Sequence, residues 1–474
     1  MWSNSGMSSR STSAGADLHL ELTVDHGRGV RVALTDALRD AIRSGRLAPG
    51  TRLPATRALA TDLGLARTTV VEAYAELVAE GWLTARRGSS TRVAERAPAT
   101  PRDPLPPAPP RTSGPRHDLM PGRPDVAGFP RAEWLRATRR ALASAPDEAF
   151  GYGAVRGRPE LRAALADYLA RARGVRADPE RVVVCAGMSH GLTLLAGVLR
   201  RRGVRAMAVE SVGLHIHRNL LRDAGLRIPP MEVDELGART DTLGRDVGAV
   251  LLTPAHQFPT GVALDPARRA AAVEWARTTG GLVVEDDYDG EFRYDRQPVG
   301  ALQGLDPDHV VHLGTASKAL APGLRLGWMV APADVVAEID DGSPDPGPSV
   351  TSALEQLVLA DLLSSGAYDR QVRGRRRTYM RRRDQLVAAL AQRAPHVGVR
   401  GLAAGLHLVL TLPDGTEADV LRSAAWHGLA VEGLSTFRHP GAAPGPAGIV
   451  VGYATPSDSA WSGALEALCG VLSA

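Results

Sequence analysis

The sequence of 474 residues predicts an α/β protein with a small helical module in front of it, and three observations carry that prediction. A stretch with eight prolines in 21 residues, Arg96 to Arg116, divides the chain. Ahead of it, apolar residues recur at helical spacing between glycine breaks. Behind it, short apolar runs such as Val182-Val-Val-Cys185 and Leu282-Val-Val284 end in small or charged residues, as strands do where they meet a crossover turn.

The first module spans residues 17–95. Leu34, Leu38, Ala41 and Ile42 line one face of a helix that Gly45 and Pro49-Gly50 stop. Leu53 to Gly64 reads as a short capped helix broken at its glycine, and Arg67 to Val78 continues with apolar residues at i, i+3, i+4 and i+7. A short helix, a glycine turn and a second amphipathic helix make a helix-turn-helix. Gly81 to Val93 reads as two short strands around an arginine-bearing tip, a wing. Net charge does not mark this module as a DNA reader, since 11 arginines face 10 acids. Placement does: Arg52, Arg57, Arg67, Arg86 and Arg87 fall at helix starts and in the wing, where phosphates and base edges lie. The plainer alternative on pattern alone is a small helical dimerisation module.

The run Gly45-Arg-Leu through Gly81-Trp82 and the tail Arg86-Arg87-Gly88-Ser closely resemble the GntR-type winged helix. That resemblance implies that Arg57, Arg67, Thr68, Thr69, Arg87 and Gly88 meet double-stranded DNA. Ala66 stands where the family often has serine, and Ser90 and Arg92 where it often has glycine and an aromatic, so the wing contacts are the less secure part.

Residues 96–116 form a linker. So many prolines cannot pack a core; at about 3.1 Å per residue in polyproline geometry they reach up to roughly 65 Å.

Residues 117–474 contain the one lysine of the chain, Lys318, against 55 arginines. A position that keeps lysine where arginine is otherwise universal points to chemistry arginine cannot do, such as losing a proton and attacking a carbonyl. Lys318 sits among Thr315, Ser317 and Arg325, the hydroxyl and guanidinium partners a phosphorylated aldehyde needs. Gly281 to Phe292 reads as an apolar strand ending in Asp286, Asp287 and Tyr288. A carboxylate beside a pyridine nitrogen keeps it protonated, and a phenol can hydrogen-bond the ring oxygen. Gly187-Met188-Ser189-His190-Gly191 reads as a turn opening a helix, whose N–H groups suit phosphate. Pyridoxal 5'-phosphate is the cofactor these residues fit.

From about Asp118 onward the chain resembles the fold type I aminotransferases, on these three segments and on Tyr152-Gly-Ala-Val-Arg-Gly157 and Thr253-Pro-Ala-His-Gln-Phe-Pro-Thr-Gly261. The resemblance implies a large α/β domain with a mostly parallel sheet and a smaller α+β domain. It makes Lys318 the catalytic-type imine lysine, Asp286 the pyridinium partner and Tyr288 the ring-oxygen partner. Thr315, Ser317, Arg325, Met188 and Ser189 become phosphate-side contacts, and Leu214 stands where an aromatic usually stacks on the ring. Tyr152 is the residue that in the family reaches the phosphate of the partner subunit's cofactor, so a homodimer is implied.

A GntR-type reader joined by a proline-rich linker to such a domain is the arrangement of the MocR/GabR regulators. The resemblance implies a transcriptional regulator that holds pyridoxal phosphate as an internal aldimine and senses an amine or amino acid through an external aldimine. The alternative is an active aminotransferase carrying a DNA-binding domain. Against complete transamination, the late strand that usually supplies a substrate-carboxylate arginine offers Val450, and Phe258 replaces an asparagine of free-standing enzymes. His215, His217, Arg218 and Arg438 are the available substitutes, with the two histidines read as a solvated helix face. The eight arginines between Arg370 and Arg383 are likewise read as a solvated face with some phosphate or interdomain contacts.

Composition sets outer bounds. With 44% hydrophobic and 23% charged residues the chain is globular, with length for about three domains. No apolar run approaches the ~20 residues of a membrane span, and the serine-rich start lacks a secretory centre, which implies a cytoplasmic protein. Cys185 and Cys469 are too few for a disulfide framework or zinc cluster.

Overall fold

The computed structural model describes residues 29–85, 90–95, 114–294, 299–342 and 351–473. The chain divides into two compact units, Met1–Arg111 and Thr112–Ala474.

In the first unit α1 (Val30–Arg43), α2 (Thr56–Leu63) and α3 (Arg67–Ala79) precede a hairpin of β1 (Leu83–Thr84) and β2 (Arg92–Val93). Leu34, Leu38 and Ala41 face inward from α1, and Val70, Ala73, Tyr74 and Leu77 from α3, the i, i+3/i+4 rows that a buried helix face requires. Gly64 ends α2 in the left-handed region (φ 65°), so the chain can reverse into α3 without a Cβ clash. Arg39 grips both oxygens of Glu80 at 2.9 and 3.0 Å, pinning α1 to the residue after α3. Leu83 pairs with Val93 across the hairpin, and both are buried against the helices.

The second unit is built on a seven-stranded sheet. Its spatial order is Val182–Cys185, Gly327–Val330, Val310–Thr315, Leu282–Asp286, Ala249–Leu252, Met207–Glu210 and Pro230–Met231. The Gly327–Val330 strand is antiparallel to both neighbours, and the other pairings are parallel. The central strands are buried along their whole length, as expected of a sheet with helices on both faces. A smaller four-stranded antiparallel sheet orders Gly398–Arg400, Leu408–Thr411, Gly448–Val451 and Glu432–Gly433, with helices Ala367–Arg393, Glu417–Trp426 and Trp461–Leu472 around it. This is the large α/β plus smaller α+β arrangement expected of the sequence.

The arginine run departs from expectation. In the helix Ala367–Arg393, Arg375 and Arg382 turn inward, seven residues apart on one face. Arg382 is fully buried and donates to the Pro456 carbonyl at 2.7 Å and to Asp458 at 2.8 Å; Arg375 donates to the Asp125 carbonyl at 2.6 Å. Arg370, Arg373, Arg377 and Arg381 keep the solvated face. Among the described residues no helix is long and apolar enough to cross a membrane.

Candidate functional site

The strands Met207–Glu210, Ala249–Leu252, Leu282–Asp286 and Val310–Thr315 run parallel and end at one edge of the sheet, where loops are free to meet a ligand. Lys318 lies in the turn after the last of them. Its ammonium donates to the Gly122 carbonyl at 2.5 Å. Burial pushes this ammonium down from its usual range against the opposing charges of Asp286 and Asp289, which favours the neutral amine a carbonyl requires.

Asp286 ends its strand with 5% of its surface exposed. Its Oδ2 lies 3.9 Å from His217 Nδ1, and its Oδ1 has no hydrogen-bond partner among the described residues. A buried carboxylate oxygen left unmet is costly, so Oδ1 marks where a donor from outside the chain would be received. Burial holds this carboxyl well above the usual carboxylate range; Lys318 opposes the shift, and Asp287, Asp289 and Glu210 reinforce it. The neighbouring Asp287 is already spent: Arg173 meets its two oxygens at 2.6 and 2.9 Å.

His217 overturns one expectation. His215 is exposed on the helix His215–Asp223, but His217, about 200° further round the helix, points into the interior towards Asp286. Burial pushes its imidazole down to about 4, with Lys318 and Arg218 adding to the effect, so a neutral ring faces the carboxyl.

Tyr288 stands two residues after Asp286. Its hydroxyl is 3.0 Å from His256 Nδ1, and the same nitrogen is 2.9 Å from Asp289 Oδ2. Burial, then Asp289 and Asp286, hold the phenol well above its ordinary range.

Met188 and Ser189 open the helix Met188–Arg201 behind Gly187, and their N–H groups have no partner within the helix. Gly327 faces Thr315 in register, and a Cβ on it would come within 2.9 Å of the Gly187 Cα, so only glycine lets these segments meet. Arg325 adopts the left-handed region (φ 53°), and its Nη1 lies 3.9 Å from where a Gly187 Cβ would stand. The Ser317 N–H donates to Thr315 Oγ1 at 3.1 Å. Open N–H groups, hydroxyls and a guanidinium thus converge at one helix N-terminus, and with the unmet Asp286 oxygen and the buried amine they fit pyridoxal phosphate.

Leu214 caps the helix His215–Asp223 and packs, with Tyr288, against a cluster of Phe258, Val409, Leu434, Phe437 and Val450. Val450 is fully buried in it. Arg218 donates to the carbonyls of Gly213 (2.6 Å), Phe437 (2.8 Å) and Arg438 (3.2 Å), so its donors serve the fold. Arg438 donates to the Ala443 carbonyl at 3.1 Å. Tyr152 stands apart from this constellation, 89% exposed.

In the first unit Arg57 lies in the first turn of α2, and Arg67 and Thr68 open α3, all three exposed; Thr69 is half-buried. The first turn of α3 is where a helix-turn-helix meets base edges. Arg87 and Gly88 lie outside the described residues.

Sequence reasoning passed over Glu210, His256, Gln257 and Asp289. Glu210 accepts from the Thr253 hydroxyl (2.6 Å), the Thr253 N–H (3.1 Å) and Gln257 Nε2 (3.0 Å), yet burial still pushes it up to about 7. The Thr253–Gly261 turn was visible as a motif, but nothing local said which of its polar residues face inward.

Residues 122–442 match the family described as Aminotransferase class I and II, and residues 23–93 match Bacterial regulatory proteins, gntR family. The chain is 34% identical to the HTH-type pyridoxine biosynthesis transcriptional regulator PdxR of Corynebacterium glutamicum, over 92% of this chain and 95% of that one. It is 33% identical to the probable rhizopine catabolism regulatory protein MocR of Rhizobium meliloti, over 89% of each. Among solved structures it resembles an archaeal alanine:glyoxylate aminotransferase with a TM-score of 0.67 at 24% identity, covering 75% of this chain and 90% of that one, a likeness of fold. A gntR-type module followed by an aminotransferase-type domain, with relatives matched over nearly their whole length, places the chain in the MocR-type family of regulators.

Proposed function

We propose that this protein is a DNA-binding transcriptional regulator whose second unit holds pyridoxal 5'-phosphate and responds to a small primary amine. The observation that carries the reading is the buried Lys318 amine beside an Asp286 carboxyl with one unmet oxygen, in a chain whose first unit is a winged helix. Bound there, pyridoxal phosphate supplies an aldehyde that condenses with amines and a ring that withdraws electrons when its nitrogen is protonated. Asp286 Oδ1 would accept from the protonated ring nitrogen, and a positive charge there would offset the burial that raises this carboxyl. Tyr288 offers its hydroxyl to the ring oxygen. The N–H groups of Met188 and Ser189, the hydroxyls of Thr315 and Ser317 and the Arg325 guanidinium hold the phosphate. Leu214 packs the ring with an aliphatic face, and Tyr152 serves the partner subunit of a homodimer.

An effector amine would take the place of the Lys318 amine at the cofactor, leaving the lysine free. The Val450 cluster presents hydrocarbon where an α-carboxylate would need a cation, which favours an amine without that carboxylate. That the Corynebacterium relative is named for pyridoxine biosynthesis is in keeping with a vitamin B6 ligand at this site. Arg57, Arg67, Thr68 and Thr69 would contact the operator, and Arg87 and Gly88, outside the described residues, are the further contacts the family resemblance implies. A ligand that binds one DNA-binding state better than another shifts the population towards it.

DNase footprinting of the protein's own upstream region, with and without pyridoxal phosphate and a primary amine, tests the reading. A protected segment whose extent changes with ligand is expected; no protection in any state overturns it. The second reading, an active aminotransferase, draws on the presence of Lys318, Asp286, Tyr288 and Arg325 together, and robust turnover of amino acids with 2-oxo acids would favour it.

A further inference from the structure

Tyr288 shares its hydroxyl with a buried pair. His256 Nδ1 faces the phenol oxygen at 3.0 Å and Asp289 Oδ2 at 2.9 Å, and the side chains of His256 and Asp289 are 2% and 1% exposed. One ring nitrogen between two oxygens has two arrangements. With a hydrogen on Nδ1, the nitrogen donates to the carboxylate, and the phenol keeps its own hydrogen to give elsewhere. With Nδ1 bare, it accepts the phenolic hydrogen and Tyr288 turns inward. An ionised carboxylate only accepts, so Asp289 selects the first arrangement. Asp289 also acts on the phenol directly, by charge and as an alternative acceptor for its hydroxyl, so without the His256 donor the phenol alone would be left to satisfy the carboxylate.

The packing holds the ring in place. A Cβ on Gly405 would stand 2.6 Å from Asp289 Oδ2 and would overlap the His256 ring, while one on Gly261 would come 3.3 Å from His256 Nε2. The histidine is thus wedged between two stretches of backbone. His407 lies beyond it, 5.3 Å between ring centroids, with its own Nε2 on the Pro259 carbonyl at 3.1 Å. Asp286 and Tyr453 also act on the phenol, both raising it.

We propose that His256 and Asp289 are positioning residues for Tyr288: the imidazole N–H satisfies Asp289 and leaves the tyrosine hydroxyl free to donate to the cofactor's ring oxygen. This rests on the cofactor reading above. A hydrogen bond to an ionised ring oxygen favours the deprotonated chromophore, so losing it raises the pH at which the absorption changes.

The test is a pH titration of the visible absorption of the full-length protein loaded with pyridoxal phosphate. Tyr288→Phe and His256→Phe should each raise the midpoint by about one pH unit, a tenfold change in the ionisation constant. The double variant should rise no further than Tyr288→Phe alone, because His256 acts through the phenol. His256→Leu, which removes the same N–H and keeps the Asp289 charge, should raise the midpoint too, and carries the test should His256→Phe fail to fold. A purely structural role would lower the melting temperature and leave the midpoint in place; that outcome, with Tyr288→Phe shifted, overturns the proposal alone. A wild-type protein with no visible band overturns the cofactor reading and this proposal together.

Discussion

Asp287 holds Arg173 through both carboxylate oxygens, at 2.6 and 2.9 Å, while its neighbour Asp286 keeps one oxygen unmet. Two adjacent aspartates therefore differ in their partners: one binds the unit together, and the other is the one the proposed cofactor would meet. His312 stands beside the structural pair, its Nδ1 3.3 Å from Glu285.

Substitutions should separate the two roles. Asp287→Asn or Arg173→Leu leaves an uncompensated buried partner and should cost about 3–5 kcal/mol in urea unfolding of the cofactor-free protein. Asp286→Asn should cost little in that assay, since the carboxyl it replaces is already destabilised by burial, and should weaken pyridoxal phosphate binding at least about tenfold by equilibrium dialysis.

Stability should fall with rising pH in a window set by Glu210. Its folded value of about 7 exceeds the ordinary 4.5, so between those values the folded chain binds a proton that the unfolded chain has released. The contribution is full below about 4.5 and lost as pH rises through 7, on the order of 3 kcal/mol in all. Glu291, also pushed up to about 7 by burial, adds in the same direction. Urea midpoints measured from about pH 5 to about pH 8 should decline in the wild type and decline less in Glu210→Gln.

Lys318→Arg keeps a positive charge but cannot act as a neutral amine. The variant should show none of the wild-type visible absorption and should release pyridoxal phosphate on dialysis. Retention of the band would remove Lys318 from its proposed role.

DNA affinity should depend on Arg57 and Arg67 and not on Arg39, whose guanidinium is engaged by Glu80. Each of Arg57→Ala and Arg67→Ala should reduce the slope of log affinity against log salt by about 1 if it meets a phosphate. Fluorescence anisotropy on upstream DNA at several salt concentrations reads this out, with Arg39→Ala expected to match wild type.

Primary amines without an α-carboxylate should perturb the cofactor absorption at about tenfold lower concentration than the α-amino acids of the same side chain, because a carboxylate against the Val450 cluster would go unpaired. A spectral titration with matched pairs decides it, and equal or reversed potency would restore a carboxylate anchor.

The amino-acid sequence by itself determined everything carried by local pattern. Helical spacing in α1 and α3, the glycine at 64 and the strand pair around the wing tip describe the first unit without reference to anything distant. Lys318 stood out by composition, and the carboxylate-ending strand and helix-opening turn around Asp286 and Ser189 were readable because each is contiguous. What only the tertiary structure decided are choices between near-identical neighbours. The resemblance had already singled out Asp286, but the physical ground for setting Asp287 aside, its pairing with Arg173 114 positions away, appears only in the folded chain. His215 and His217 separate into exposed and largely covered because packing selects one face of their helix, and Arg375 and Arg382 go inward for the same reason. His256 meets Asp289 across 33 positions. Periodicity fixes which residues share a face, but burial and charge pairing depend on what lies opposite that face, and only the folded chain supplies it.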